Sequence, residues 1–260
     1  MSRPTGLPLG YAHRGFSAPD TDSAENTMAA FDAAVQLGFR YLETDARASA
    51  DGVAVAFHDL VLDRLTNHTG PVAARDWAQL SQARIYGRHP IATLADVLGG
   101  FGEVHVNIDV KADAAIGPTL DAIRRTRSWH RVRLAAFSHR RLLTLRRAAG
   151  PSVATALSPP EVAVLAARAG RLPALRRLAA AGKLPAAGAA AQVPVRIGAV
   201  PVITPRFVEL AQAAGIAVHA WTINRPAEMV RLLDLGVDAI ITDRADLLRE
   251  VLRERGQWPS

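Results

Sequence analysis

Residues 216–243 read IAVHAWTINRPAEMVRLLDLGVDAIITD. Ile216–Trp221 is a short apolar run with the character of a strand. Pro226–Leu235 reads as a helix, with proline near its first turn, where a missing N–H costs little. Val237–Ile241 is a second short apolar strand. A strand, a helix and a strand in this order form a βα unit whose two strands run parallel. Both strands end on polar residues, Trp221-Thr222-Ile223-Asn224 and Thr242-Asp243.

The same rhythm extends through the chain. Tyr11–His13 ends a first strand, and Asn26–Leu37 is a helix that Asn26 or Thr27 can cap and Gly38 stops. Phe39–Asp45 is the second strand. Asp51-Gly52 marks a turn, followed by an alternating strand at Val53–His58. Asp59–Pro90 is polar and turn-rich and reads as an excursion. Further on, strands at Val104–Val110, Val132–Phe137 and Val153–Leu157 alternate with helices at Ile116–Arg125, His139–Ala149 and Pro160–Gly170. Arg171–Val195, rich in Ala, Gly, Pro and Arg, reads as helix, loop or both, and Arg196–Val200 as a weak strand. Pro205–Ala214 and Ala245–Arg253 are helices. About eight strands alternating with helices imply a parallel sheet, either closed into a barrel or open and doubly wound. The chain has 260 residues, and one (β/α)8 barrel takes about 250.

Composition narrows the chemistry. Hydrophobic residues make up 49% and charged residues 21%, ordinary values for a globular protein. The sequence has no cysteine, so thiolate metal sites and thiol nucleophiles are excluded, and any metal is held by oxygen or imidazole. The net charge is +7. Its arginines are scattered along helical stretches, as at Arg140, Arg141, Arg146 and Arg147. That distribution predicts a solvated basic surface suited to an anionic substrate, not a nucleic-acid partner. Neither a secretory signal nor a membrane-spanning run is read, so a cytoplasmic location without membrane anchoring is expected. Glycine-rich nucleotide and phosphate loops are absent.

In a barrel the chemistry sits where strands end. Those positions carry His13-Arg14-Gly15, Glu43-Thr44-Asp45, His58-Asp59, Asp109-Val110-Lys111 and Ser138-His139. Glu43 and Asp45 are two residues apart and share a strand face, as do Asp109 and Lys111. Neighbouring carboxylates repel unless a cation or proton lies between them. Three carboxylates at one barrel mouth suit a hard cation such as Mg2+ or Ca2+. His13 and His58 are candidate general acid and base, and Arg14 and Lys111 candidate phosphate ligands. Each piece alone has a plainer reading as an ion pair, a turn or a structural histidine; their recurrence at successive strand ends favours a site. Asp63-Arg64 reads as an ion pair within the excursion, and His105 and His219 as packing residues inside strands.

These motifs, in this order, resemble the glycerophosphodiester phosphodiesterase family. His13-Arg14-Gly15 followed by Glu25-Asn26-Thr27, then Glu43-Thr44-Asp45, are similar to its opening elements. So are Asp51-Gly52 through His58-Asp59, Leu62–Thr66, Asp109-Val110-Lys111, Trp221–Asn224 and Gly236–Asp243. The resemblance runs from His13 to about Leu248. Ala24 stands where the family has proline, and Leu65 where it has threonine. Asp109 stands where it has glutamate, which shortens that carboxylate arm by one methylene.

The resemblance implies a (β/α)8 TIM barrel spanning 1–260, with a small inserted subdomain after the second strand at about 60–90. It implies a divalent cation, Mg2+ or Ca2+, held by Glu43, Asp45 and Asp109. Acid–base steps by His13 and His58, phosphate contacts by Arg14 and Lys111, and a substrate contact by Trp221 are further implications. The expected reaction hydrolyses a small-molecule glycerophosphodiester to glycerol phosphate and an alcohol. Two other readings are a phospholipase acting on lysophospholipids and a non-catalytic barrel that binds a phosphorylated ligand. Small, water-soluble diesters are expected to be preferred, because no long apolar stretch borders the motifs and no membrane anchor is read; Trp77, Phe16 and Tyr86 are the only hints of the apolar groove a phospholipase would need.

Overall fold

In the computed structural model, which describes residues 6–17, 24–170 and 189–258, the alternation resolves into eight βα units. The strands are β1 (Leu9–His13), β2 (Tyr41–Ala48), β3 (His105–Val110), β4 (Val132–Ala135), β5 (Ala154–Thr155), β6 (Ala190–Pro194), β7 (Ala217–Trp221) and β8 (Ala239–Thr242). The helices that follow them in turn are α1 (Met28–Gln36), α2 (Leu94–Gly100), α3 (Ile116–Arg125), α4 (His139–Ala149), α5 (Pro159–Arg168), α6 (Pro205–Ala213), α7 (Pro226–Asp234) and α8 (Ala245–Glu254). All seven pairings in the order β5-β4-β3-β2-β1-β8-β7-β6 are parallel. A parallel bridge between Ala156 and Ala190 joins the two ends, so the sheet is a nearly closed barrel. None of the described helices is long and apolar enough to cross a membrane.

Side-chain alternation divides each strand between two environments. Leu42, Val106, Ile108, Leu134, Val218 and Ile240 face the helices and are buried there. Gly10 has the same orientation: a Cβ there would meet Phe39 at 3.0 Å and Leu248 at 3.1 Å. The intervening residues fill the lumen. Tyr11 packs against Tyr41 (5.2 Å between ring centroids) and His219 (5.3 Å), and Tyr41 stacks on His105 at 4.8 Å. Above them, Gln192 donates to Asn107 Oδ1 at 2.8 Å. Arg133, 1% exposed, donates to the Thr155 carbonyl at 3.0 Å. This lumen is more polar and aromatic than the branched aliphatic filling usual in such barrels.

Hydroxyl side chains open several helices. Thr27, not Asn26, caps α1 by accepting from the Ala30 N–H; Thr93 and Ser158 form capping boxes with Asp96 and Glu161. Arg146 is not a solvated arginine: it forms a 2.6 Å ion pair with Glu161 and ties α4 to α5. Arg140 and Arg141 both reach Asp113.

The structure corrects the sequence reading at the sixth strand. That strand is Ala190–Pro194, paired along its length with β7, whereas Arg196–Ile197 and Val200–Pro201 form a separate antiparallel hairpin. Alanine has low intrinsic strand preference, so propensity favours the β-branched residues just downstream. Packing decides otherwise: small residues fit where β6 sits against its neighbours, and Ile197 and Val200 remain exposed. Residues 171–188 of the ambiguous Ala-rich stretch lie outside the described residues.

Ala54–Ala56 pairs antiparallel with the end of β2. The segment after it packs Phe57, Leu62, Leu65, Leu80 and Ile85 into a cluster of their own. The expected Asp63–Arg64 pair does not form. Asp63 accepts from the Gly70 N–H at 2.8 Å, while Arg64 reaches Asp59 at 2.6 Å and Glu25 at 2.9 Å.

The turn that ends β1 constrains sequence strongly. Gly15 has φ +86°, and a Cβ there would lie 2.6 Å from the Ala30 carbonyl carbon. Gly52 has φ +84° with open space around it. The left-handed backbone alone costs an L-residue roughly 1–2 kcal/mol. Gly52→Ala should lose about that much stability in urea unfolding, and Gly15→Ala distinctly more, because it adds a backbone clash. Equal losses would show that α1 yields freely at Ala30.

Candidate active site

Strand register gathers the charged side chains. His13 is aligned with Glu43, Glu43 with Asn107, and Asp45 with Asp109. All are inward-facing positions at the ends of β1, β2 and β3. The eight residues singled out from sequence (His13, Arg14, Glu43, Asp45, His58, Asp109, Lys111 and Trp221) all line one cavity of about 600 Å³.

Both histidines are oriented by carboxylates. His13 Nδ1 is 2.6 Å from Asp243 Oδ1, and His58 Nδ1 is 2.7 Å from Asp59 Oδ1. A carboxylate accepts, so each Nδ1 carries the proton and each Nε2 is left for chemistry. His13 Nε2 lies 3.7 Å from Glu43 Oε2. Burial opposes the imidazolium form of His13, but Glu43 and Asp243 outweigh it and raise its pKa. Asp243 is itself held by Asn224, which donates from Nδ2 at 2.7 Å and accepts the Asp243 N–H at 2.9 Å. Asp59 is braced by Arg64; that hydrogen bond, ahead of the one from His58, lowers its pKa to about 2.

Between the histidines lies a buried cluster of opposite charges. Asp45 is 1% exposed. Lys111 Nζ approaches it at 2.8 Å and Asn26 Nδ2 donates to it at 2.9 Å. Arg14 Nε is 3.1 Å away, out of hydrogen-bond alignment. Lys111 also contacts Asp109 Oδ2 at 2.6 Å, and Arg14 reaches Glu25 at 3.0 Å. Burial disfavours the Asp45 anion, but Lys111 and Arg14 overcome it and lower the pKa. Glu43 lacks such support. Burial, then the Asp45 carboxylate, push its pKa up to about 7. Arg14 and Asn26 adopt left-handed backbone, with φ of 56° and 59°, a strain that persists only where surroundings enforce it.

A divalent cation can be tested against this arrangement. Among the described residues, no three acidic or histidine side chains converge as a ready cage; the Lys111 ammonium stands between Asp45 and Asp109. The donor chemistry nevertheless fits a hard cation. Asp109 Oδ1 is buried without a hydrogen-bond partner, and Glu43 is a buried carboxyl short of positive charge. Relief of both is what a bound cation supplies.

Sequence reasoning missed three contributors. Asp243 was visible at the end of β8, and period-two counting from Ile241 puts it on the inward face; only the fold brings it to His13, 230 positions away. Asn26 looked like a helix cap, yet its side chain binds Asp45 and accepts from the Thr44 hydroxyl. The Glu25–Arg64 link had no sequence signal. The apolar surface also differs from expectation. Trp77, Phe16 and Tyr86 do not line the cavity, whose apolar walls come mostly from the ends of β4, β5 and β6 and the segments after them, with Trp221 and Ile241.

Comparison with known proteins agrees with this geometry. The model of the glycerophosphoryl diester phosphodiesterase family matches residues 13–247. The chain is 42% identical over 256 residues to a protein of Mycobacterium tuberculosis named probable glycerophosphodiester phosphodiesterase 2, covering 96% of this chain and 92% of that one. Among solved structures, the glycerophosphodiester phosphodiesterase of Agrobacterium tumefaciens str. C58 superposes with a TM-score of 0.74 at 23% identity, covering 95% of this chain and 100% of that one. An Oleispira antarctica phosphodiesterase in complex with the product sn-glycerol-3-phosphate gives 0.74 at 24% identity, covering 95% and 97%. With the family model spanning nearly the whole barrel and every strand-end motif inside the match, the chain belongs to the glycerophosphoryl diester phosphodiesterase family.

Proposed function

We propose that this protein hydrolyses glycerophosphodiesters to glycerol phosphate and an alcohol, with His13 and His58 as the acid–base pair. The observation that carries this reading is the pairing of two carboxylate-oriented imidazoles with a buried acidic cluster on one cavity wall. Family membership and the named relatives support the reaction class.

The phosphodiester binds with its anionic oxygens toward Arg14 and Lys111. One imidazole Nε2 takes the proton from the attacking hydroxyl, of water or of the substrate's own glycerol. The attacking oxygen bonds to phosphorus while the other imidazole gives a proton to the departing alkoxide oxygen as its phosphorus–oxygen bond breaks; where the substrate's own glycerol attacks, the cyclic phosphate so formed is opened by water to glycerol phosphate with the two imidazoles exchanging roles. Asp243 and Asp59 keep each imidazole in the tautomer this requires. Glu43, Asp45 and Asp109 would hold a divalent cation, whose chemistry when bound is neutralisation of the non-bridging phosphate oxygens. Asn26 fixes the Asp45 carboxylate.

Three outcomes are expected. His13→Ala and His58→Ala should each lower kcat on glycerophosphocholine by about 10²- to 10⁴-fold with an unchanged far-UV spectrum; a near-native rate in either would make that histidine structural. Asp243→Asn should lower kcat with little change in KM, since it disturbs imidazole orientation and not substrate contact, and a pure KM effect would contradict this. Exhaustive chelation should abolish turnover and Mg2+ or Ca2+ should restore it, with Glu43→Gln shifting the restoring titration to higher metal concentration. Full activity in the chelated protein would remove the cation from the proposal.

A further inference from the structure

The two imidazoles are held by unequal means. His13 is packed between Glu43 and Asp243, and Asn224 fixes Asp243 with two hydrogen bonds. His58 stands outside the barrel strands, just after Ala54–Ala56, and its side chain is 35% exposed against 18% for His13. Its ring is oriented by Asp59, the next residue in the chain. A carboxylate so placed can rotate away about two side-chain bonds unless a third group holds it. Arg64 is that group, donating from Nε to Asp59 Oδ2 at 2.6 Å. The same contact keeps the Asp59 pKa at about 2, so the acceptor for the Nδ1 proton of His58 is an anion at neutral pH.

Arg64 is 48% exposed, and a surface arginine in a single ion pair contributes little. Its contacts are of another kind. The two remaining guanidinium nitrogens donate to Glu25, Nη1 to Oε2 at 3.2 Å and Nη2 to Oε1 at 2.9 Å. The planar fork thus joins two carboxylates in a fixed relation, which a lysine ammonium cannot do. Glu25 Oε1 also accepts from Arg14 Nη1 at 3.0 Å. One side chain therefore ties the phosphate-facing guanidinium of Arg14 to the carboxylate that orients His58. Arg64 does not itself line the cavity. We propose that Arg64 is a positioning residue for the reaction: through Asp59 it fixes the His58 ring, and through Glu25 it keeps that ring in register with Arg14. This role rests on the phosphodiesterase reading above, with His58 in the acid–base pair.

Steady-state kinetics on glycerophosphocholine, with Mg2+ or Ca2+ present, test the role. Arg64→Ala should lower kcat by about 10²-fold, the scale of a small misplacement of a reacting group, with KM little changed and an unaltered far-UV spectrum. Arg64→Lys keeps the charge without the fork and should recover only part of that loss. In a His58→Ala background, Arg64→Ala should cost nothing further, because a residue that acts only through His58 then has nothing left to place. A loss that persists undiminished in that background, full recovery in Arg64→Lys, or a rise in KM at unchanged kcat would each overturn the proposal and leave the phosphodiesterase reading standing. A readout independent of turnover is the nitrogen NMR spectrum of the His58 imidazole, identified by its loss in His58→Ala. The neutral ring should show a single Nδ1–H tautomer in the native protein and averaged tautomers in Arg64→Ala; an unchanged His58 signal would also overturn the proposal. No turnover of any diester by the native protein would sink the phosphodiesterase reading, and the role of Arg64 with it.

Discussion

Asp45 is the group around which the site is arranged. A carboxylate with 1% exposure is costly unless it is paired and hydrogen-bonded. Its partners come from two stretches: Arg14 and Asn26 from between β1 and α1, and Lys111 from just after β3, shared with the neighbouring carboxylate of Asp109. Arg14 and Asn26 make these contacts from left-handed backbone. Glu43 is left with too little compensation. The result is a buried acidic cluster in which Glu43 and Asp109 Oδ1 are incompletely compensated.

Two chains of contacts radiate from this centre to the histidines. On one side His13 is clamped between Glu43 and Asp243, which Asn224 holds in turn. On the other, Arg14 leads through Glu25 and Arg64 to Asp59 and His58. The second chain crosses from the barrel to the segment after β2. The position of His58 therefore depends on the small apolar cluster around Phe57 and Leu62 as well as on the barrel. The placement of His58 and the packing of this peripheral segment are linked through Arg64.

The sequence determined the architecture because period-two strands, amphipathic helices and capping hydroxyls are local signals, and they agree with one another along most of this chain. Thr27, Thr93 and Ser158 begin helices for reasons visible within four residues. The same parity put Glu43 with Asp45, and Asp109 with Lys111, on common faces. It failed at Ala190–Pro194, where the strand exists because of its neighbours, as edge pairing with β7 and the bridge to Ala156 outweigh weak propensity.

Tertiary structure alone decided the partners. Parity says that Asp243 faces inward, but the parallel pairing of β1 with β8 is what brings it to His13. It likewise decided that Arg64 bonds Asp59 and Glu25 and leaves its neighbour Asp63 to a backbone amide. The apolar walls of the cavity were hidden for the same reason: Phe137, Leu157, Val162 and Val200 are single residues spread over four segments, each ordinary in its own context. Local sequence specifies which way a side chain points, whereas register and closure specify what it meets, and long-range electrostatic and apolar contacts arise only from the second.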